Sequence, residues 1–374
     1  MEKTVVGKRI EIIDGARFYG IALVFYGHFI EELMLLKNPL AASQYKFIYS
    51  FHMVLFIVIA GYVAKDLAAK MNLAGFISNR FQSRLLPYLF FTVVMMVPPI
   101  FFPGKFFNLD LPSFQGYMSG LVATLFGLPL FCVPSWFLLL IIGVELVHFI
   151  FFRFIRDSNT KILAAALIFY IVGYLLNLKL DIFNPLKGRT VGWNYFFIHE
   201  AITLYGFYLI GVFMRRRGCF SNRRPVTVSL PVALILFGAV FLTYNLNNGP
   251  FNFTVYDAVV IIFASHGHII LFPLTALAGS LMVLFIANTT GVPRLIGYLG
   301  QNTLILMCLN GIFYHYINPP LAKWVLTVSG GSAALITAAG VLITSLSLLL
   351  CLPVVYALNR YAPRLVGKKN YGHG

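Results

Sequence analysis

The chain has 374 residues, of which 59% are hydrophobic and only 11% are charged, with a formal net charge of +16. A soluble protein of this length carries about 25% charged residues, so the composition excludes an ordinary soluble domain. Apolar runs long enough to cross a bilayer recur along the chain, which predicts an all-α polytopic membrane protein rather than a β-barrel. The basic residues stand in short clusters between these runs, as membrane topology requires, so no nucleic-acid partner is expected.

The apolar runs, taken in chain order, predict about ten transmembrane helices. The N-terminal segment carries Lys3, Lys8 and Arg9 and is expected in the cytoplasm, because positively charged loops stay on that side of the membrane. The predicted spans cover residues 16–36, 46–64, 84–102, 134–152, 162–178, 195–214, 227–243, 268–287, 296–317 and 333–357.

One further segment, 115–131, is apolar but broken by three glycines and a proline, and we expect it to be re-entrant or interfacial. If it were a full span, the later basic clusters, such as the stretch 215–224, would fall outside. With those clusters inside, both termini are predicted to be cytoplasmic, in a protein of a bacterial inner membrane. No repeat or linker is visible, so residues 1–374 are predicted to form one domain.

The apolar stretch 12–36 carries the first candidate site. Arg17 and His28 are eleven residues apart, which at ~100° per residue puts them on nearly the same helix face, ~16 Å apart along the axis. Gly20 and Gly27 leave room for a neighbouring helix to come close. An ionisable residue at mid-membrane is costly and marks a candidate functional site. The alternative is a structural polar contact between packed helices.

Three other residues are expected near His28. His52, in the second predicted span, lies at a similar depth and can share a cavity with His28; the alternative is a ring bonded to a backbone carbonyl. Glu31 and Glu32 follow His28 by three and four residues, so either carboxylate can reach back to the ring. Such a contact would raise the basicity of the histidine and fix its tautomer, as a catalytic base requires. The alternative for both glutamates is headgroup water.

Arg80 and Arg84 are four residues apart at the cytoplasmic mouth of the third predicted span and share a helix face. Guanidinium groups bind phosphate well, although ordinary positive charge at the cytoplasmic surface explains the pair equally. Further polar residues on the predicted outer side indicate a vestibule: His199, Glu200, His266, His268 and His315. No carboxylate or cysteine near His266 and His268 in sequence completes a ligand set, so no metal is expected.

The first half of the chain resembles the membrane-bound acyltransferase family 3. The first span, IDGARFYGIALVFYGH, resembles that family's opening LDGLRGIA…GH, and its Arg17 and His28 stand at the motif positions. The second span, FHMVLFIVIAGYV, is similar to the family's FHMPLFFFISGY element. Arg80 and Arg84, followed by LLPY, are similar to its R-x3-R element.

Two later elements resemble the same family more weakly. Trp136-Phe-Leu resembles the family's WFL segment, and residues 297–310 resemble its late LGxxSLxIxxxH segment. The late spans also resemble, loosely, the fucose 4-O-acetylase-like branch. Asn310 stands where many relatives have histidine, so the resemblance assigns that position no role here.

The resemblance implies an enzyme that moves an acyl group, above all acetyl, from cytoplasmic acyl-CoA to a hydroxyl of a glycan or lipid-linked saccharide. His28 would act as the general base, and the coenzyme A phosphates would lie near Arg80 and Arg84. The pantetheine arm would run along the face of Arg17. The other residues implied at the catalytic centre are His52, Glu31 and Glu32. The residues expected to contact the acceptor are His199, Glu200, His266, His268 and Trp136.

Two other functional classes explain less of the sequence. A transporter or flippase for a lipid-linked saccharide usually carries paired broken segments in its two halves, whereas only 115–131 is strongly interrupted here. A structural membrane scaffold leaves the ionisable pair Arg17 and His28 unexplained.

Overall fold

The computed structural model describes residues 10–66, 71–102, 104, 106, 113–179, 195–253 and 255–368. The basic N-terminal residues Lys3, Lys8 and Arg9 lie outside these ranges. The described part is α-helical, and its β-structure is limited to an isolated bridge between Val260 and Ser265.

Sixteen α-helices, α1 to α16, follow one another in the described chain. They run over Glu11–Leu35, Pro39–Tyr49, His52–Tyr62, Leu73–Arg80, Leu86–Met95, Pro98–Phe101, Phe114–Leu125, Trp136–Ile155, Asn159–Lys179, Ile198–Arg216, Val226–Thr243, Leu271–Thr290, Arg294–Gln301, Thr303–Ile312, Asn318–Ser329 and Ala333–Tyr361. Two π-helical turns, Phe81–Leu85 and Phe313–Ile317, join α4 to α5 and α14 to α15. Such turns occur frequently at functional sites.

Nine helical stretches in the described residues are long and apolar enough to cross a membrane. A bent pair, Arg294–Gln301 with Thr303–Ser329, makes up to ten if it counts as one span. The prediction of an all-α polytopic membrane protein with about ten spans is therefore confirmed. The bend of 76° lies at Asn302, within the single span predicted over 296–317.

The predicted start of the first span is corrected. The first helix begins at Glu11 rather than near residue 16. Asp14 lies in its first turn, where the helix dipole favours a carboxylate, and pairs with Arg17 at 3.6 Å. The segment 115–131 contains a helix only over Phe114–Leu125. At 12 residues this helix is shorter than the ~20 residues that a bilayer requires, in keeping with the expected incomplete span.

Helix α1 lies at the centre of the bundle and packs against α2, α3 and α12 to α16. The two glycines singled out in its sequence lie where neighbours come close. A Cβ atom on Gly20 would be 2.8 Å from the Phe56 ring, and one on Gly27 would be 3.0 Å from the Tyr49 ring. Helix α10 packs against α3, α8 and α9, so α3 connects the two groups of helices.

Basic residues gather at the end of the bundle that holds the start of α1 and the ends of α8 and α12. We call this the basic end. Arg156 pairs with Asp66 at 2.8 Å, and Arg223 Nε donates to the carbonyl of Asn288 at 3.0 Å. At the opposite end a loop, described over residues 244–253 and 255–270, folds back over the bundle. Asn247 Nδ2 donates to the carbonyl of His266 at 3.0 Å and thereby closes the base of this loop.

Candidate functional site

His28 lies on the side of α1 that faces the bundle interior, and its ring is fixed by α14. Nδ1 of His28 forms a hydrogen bond with Oδ1 of Asn310, which is fully buried. When this amide oxygen accepts the N–H of Nδ1, Nε2 is the ring nitrogen that keeps a lone pair. A neutral imidazole with one free nitrogen is what a general base needs.

His52 is the first residue of α3, and its ring is fixed in the same way. Nδ1 of His52 donates to the carbonyl of Ile48 at 3.0 Å, so its lone pair also lies on Nε2. The contact with a backbone carbonyl, given above as the alternative, is present. His52 nevertheless lines the same cavity as His28, so its ring both contacts a backbone carbonyl and shares that cavity.

Glu31 is held by tyrosine hydroxyls from three separate segments. It accepts hydrogen bonds from Tyr49 of α2 at 3.1 Å, from Tyr256 of the loop at 3.0 Å and from Tyr314 of the second π-helical turn at 3.3 Å. Burial and the neighbouring Glu31 carboxylate raise the pKa of Tyr256, so its hydroxyl stays protonated and can donate.

The two glutamates after His28 do not lie in headgroup water. Glu31 is 4% exposed and Glu32 is 5% exposed, because the loop and neighbouring helices cover this turn of α1. Nδ1 of His28 is hydrogen-bonded to the amide of Asn310 rather than to either carboxylate.

The space around these groups, here called the His28 cavity, measures about 560 Å³ including its opening to solvent. Trp136, the first residue of α8, forms part of its wall. Loop residues 259–263 also line the cavity. The remaining side chains are mostly aromatic or ionisable: Glu31, Tyr45, Tyr49, His52, Met53, Val133, Tyr256 and Tyr314.

A second space, here called the Arg17 cavity, lies toward the basic end and measures about 1010 Å³ including its opening. Helices α1, α3 and α8 contribute to the walls of both cavities. On α3, Met53 lines the His28 cavity and Phe56 lines the Arg17 cavity. On α8, Trp136 lines the His28 cavity and Phe137 lines the Arg17 cavity. The two cavities therefore follow one another along the bundle, with the stripe of α1 running past both.

Arg80 and Arg84 both reach one buried carboxylate on α8. Arg80 lies 3.2 Å and Arg84 3.4 Å from the oxygens of Glu145. Arg84, in the first π-helical turn, also lines the Arg17 cavity, whereas Arg80 is turned toward the ring of Phe76 at 5.2 Å. The shared face predicted for the two arginines is therefore present, but only Arg84 borders the larger space.

The other residues assigned to the acceptor lie elsewhere. Glu200 and His266 form a buried pair at 3.0 Å, and His199 lies buried near the start of α10. His268 is exposed, and its Nδ1 accepts the backbone N–H of Ile270 at 3.2 Å, at the start of α12. Neither described cavity has any of these four residues in its wall, so their contact with an acceptor stays a prediction.

Metal-ligating residues are not gathered at either cavity. Within the described ranges no group of three or more histidine, cysteine or acidic residues is arranged to hold a metal ion. The rings of His266 and His268 make different contacts, since one binds Glu200 and the other accepts the backbone N–H of Ile270.

Several site residues escaped the sequence analysis. Asn310 was noticed only as a departure from a motif, and Tyr256 and Tyr314 carried no signal because tyrosine is common in this chain. Glu145 could have been assigned, since a lone carboxylate in an apolar span needs a cationic partner and Arg80 and Arg84 were the nearest candidates by depth.

The chain was also compared with known proteins. A family model described as an acyltransferase domain, that of acyltransferase family 3, matches residues 10–358. No curated protein and no solved structure gives a significant match. The match extends from α1 into α16 and includes the helices that line the two cavities.

Proposed function

Since the chain belongs to acyltransferase family 3 and is a membrane acyltransferase, we propose that it moves an acyl group, above all acetyl, from acyl-CoA to a hydroxyl of a glycan or lipid-linked saccharide. The observation that carries this proposal is the placement of His28 beside Asn310 and a cavity. Its Nδ1 is hydrogen-bonded to Asn310, its ring borders the His28 cavity, and Arg17 on the same helix borders the second cavity together with Arg84.

The Arg17 cavity suits the donor. Coenzyme A is large and carries phosphates, and this is the larger of the two spaces, with Arg17 and Arg84 in its wall. It opens toward the basic end, which the positive-inside rule assigns to the cytoplasm, where acyl-CoA is found. The narrower pantetheine arm can follow α1 from Arg17 toward His28. The proposal accordingly includes a bacterial inner membrane and cytoplasmic termini.

The His28 cavity suits the acceptor. Ligand sites typically combine aromatic walls with a few polar groups that fix orientation, and Trp136, Tyr45 and Tyr49 line this space with His52 and Glu31. A saccharide presents both apolar C–H faces and hydroxyls, so it can use both kinds of wall. The lone pair on Nε2 of His52 can accept a hydrogen bond from an acceptor hydroxyl and orient it.

The chemical step then needs one base. Nε2 of His28 takes the proton of the acceptor hydroxyl as its oxygen attacks the thioester carbonyl. The C–O bond forms, the C–S bond breaks, and the coenzyme A sulfur leaves with a proton returned by His28. Asn310 accepts from Nδ1 throughout, and this hydrogen bond strengthens when the ring is positively charged.

Transfer can be tested with the full-length protein in lipid nanodiscs, radiolabelled acetyl-CoA and a panel of glycans and lipid-linked saccharides. We expect label in a glycan product with the native chain, formed about 10²–10⁴-fold more slowly with His28→Ala. Label transferred at equal rates by both proteins would remove His28 from the chemistry. Movement of a lipid-linked saccharide across vesicle membranes without any acyl transfer would instead favour the flippase alternative.

A further inference from the structure

The segment after the last helix folds back onto the bundle. Helix α16 ends at Tyr361, and a 3-10 turn, Pro363–Val366, follows. Val366 is 3% exposed and packs into the main core cluster. The backbone N–H of Lys368 donates to the carbonyl of Pro363 at 2.9 Å, which closes the turn. This tail is therefore an ordered part of the basic end.

Gly367 allows the tail to approach the first π-helical turn closely. Its φ of +74° lies in the left-handed region, which glycine adopts without strain. An added Cβ atom would lie 2.7 Å from the carbonyl oxygen of Ser83, the neighbour of Arg84. The tail thus depends on a glycine at the point where it reaches the wall of the Arg17 cavity.

The three residues Val366, Gly367 and Lys368 line the Arg17 cavity together with Arg17 and Arg84. The ammonium group of Lys368 donates to Oδ1 of Asn302 at 2.6 Å, and Asn302 lies at the bend between α13 and α14. The same oxygen accepts Nδ2 of Asn359 at 2.8 Å. Lys368 is therefore held in position by a neutral amide.

The ion-pair partners distinguish Lys368 from the two arginines. Arg17 pairs with Asp14 and Arg84 with Glu145, whereas the ion pairs found in the described residues include none for Lys368. Partial burial lowers the pKa of Lys368, because a charge removed from water and left without a counter-ion is disfavoured. An anion in the cavity would supply that counter-ion.

We propose that the tail Pro363–Lys368 completes the donor site and that Lys368 binds a phosphate group of the acyl donor. This inference rests on the proposed function, since it takes the Arg17 cavity as the donor site. The family match ends at residue 358, so this cation lies beyond the stretch that the family shares. A lysine ammonium has three N–H donors, so Lys368 can keep its hydrogen bond to Asn302 and donate another to a phosphate oxygen.

Calorimetry with coenzyme A and the full-length protein in nanodiscs tests the assignment. Lys368→Gln should weaken binding about ten-fold, as expected for the loss of one hydrogen bond to a charged group. Lys368→Arg should keep most of the affinity. The control is Arg364→Gln, which removes an exposed cation from the same turn and should change the affinity less than two-fold, about the scatter expected for a surface charge.

A second variant separates position from charge. Gly367→Ala keeps Lys368 but displaces the tail from Ser83, and should weaken coenzyme A binding more than Arg364→Gln does. If Lys368→Gln binds coenzyme A as tightly as Arg364→Gln does, or more tightly, the tail has no part in donor binding, while the proposed function stands. If the native chain binds no coenzyme A, both this inference and the proposed function are overturned.

Discussion

His28 and Asn310 are 282 positions apart in the chain, yet their side chains share one hydrogen bond in the interior of the bundle. The bond joins the central helix α1 to α14, which follows the 76° bend at Asn302. An asparagine oxygen can accept only, so in this chain the contact defines which nitrogen of His28 is free to act.

The strongest test of this arrangement is His28→Ala. The variant should keep its melting temperature and its affinity for coenzyme A, because the cationic groups lie in the other cavity. Its turnover should fall about 10²–10⁴-fold, the usual contribution of a positioned base. His52→Ala should cost less, since that ring is proposed only to orient the acceptor. If His28 is merely a packing residue, melting temperature and folded yield will fall instead, and activity will decline only in proportion.

Asn310→Ala probes the positioning of the base. Removing the acceptor leaves Nδ1 without its partner, so the ring can rotate or change tautomer. Hydrogen bonds to charged groups contribute about 1.5–3 kcal/mol, so we expect kcat to fall about 10–100-fold while KM for acetyl-CoA changes little. Steady-state kinetics on both substrates separates these parameters. An unchanged kcat with a lower melting temperature would assign Asn310 to packing alone.

The arginine pair should affect donor binding unequally. Arg84→Ala should weaken acetyl-CoA binding more than Arg80→Ala does, because only Arg84 lines the Arg17 cavity. The loss should be largest at low salt, since dissolved ions screen exposed charges. Calorimetry at two ionic strengths measures this. Equal, salt-independent affinities in both variants and the native chain would exclude the pair from the donor site.

The same pair makes a separate prediction about stability. Removing both arginines leaves Glu145 buried without a cation, and breaking a buried ion pair costs about 3–5 kcal/mol. The double variant Arg80→Ala, Arg84→Ala should therefore melt at a lower temperature. Adding Glu145→Gln should restore much of the loss, because the unpaired charge is gone. Thermal unfolding of the three proteins in one detergent checks this; no recovery in the triple variant contradicts the ion-pair explanation.

Topology can be tested independently of catalysis. Reporter fusions after Arg224 and after Gly374 should both report the cytoplasm, because the basic clusters before each point favour that side. A periplasmic signal at either position would require a different number of spans. It would also place the Arg17 cavity on the wrong side for a cytoplasmic donor.

The sequence by itself determined the membrane class, the approximate spans and the shared face of Arg17 and His28. These properties are local. Hydropathy over ~20 residues decides whether a segment can cross a bilayer, and the helical period decides which side chains share a face. The sequence also allowed the closeness of His52 to His28 to be predicted. The depth of each histidine in the membrane follows from counting residues along its own helix.

Only the tertiary structure decided what those residues contact. Asn310 on His28, three tyrosines on Glu31 and Glu145 between two arginines all join segments distant in the chain. No local period encodes such partners, because they depend on how helices cross and where a chain bends. The tail is the clearest case: Lys368 is simply a basic residue after the last span until the turn at Gly367 brings it to the Arg17 cavity.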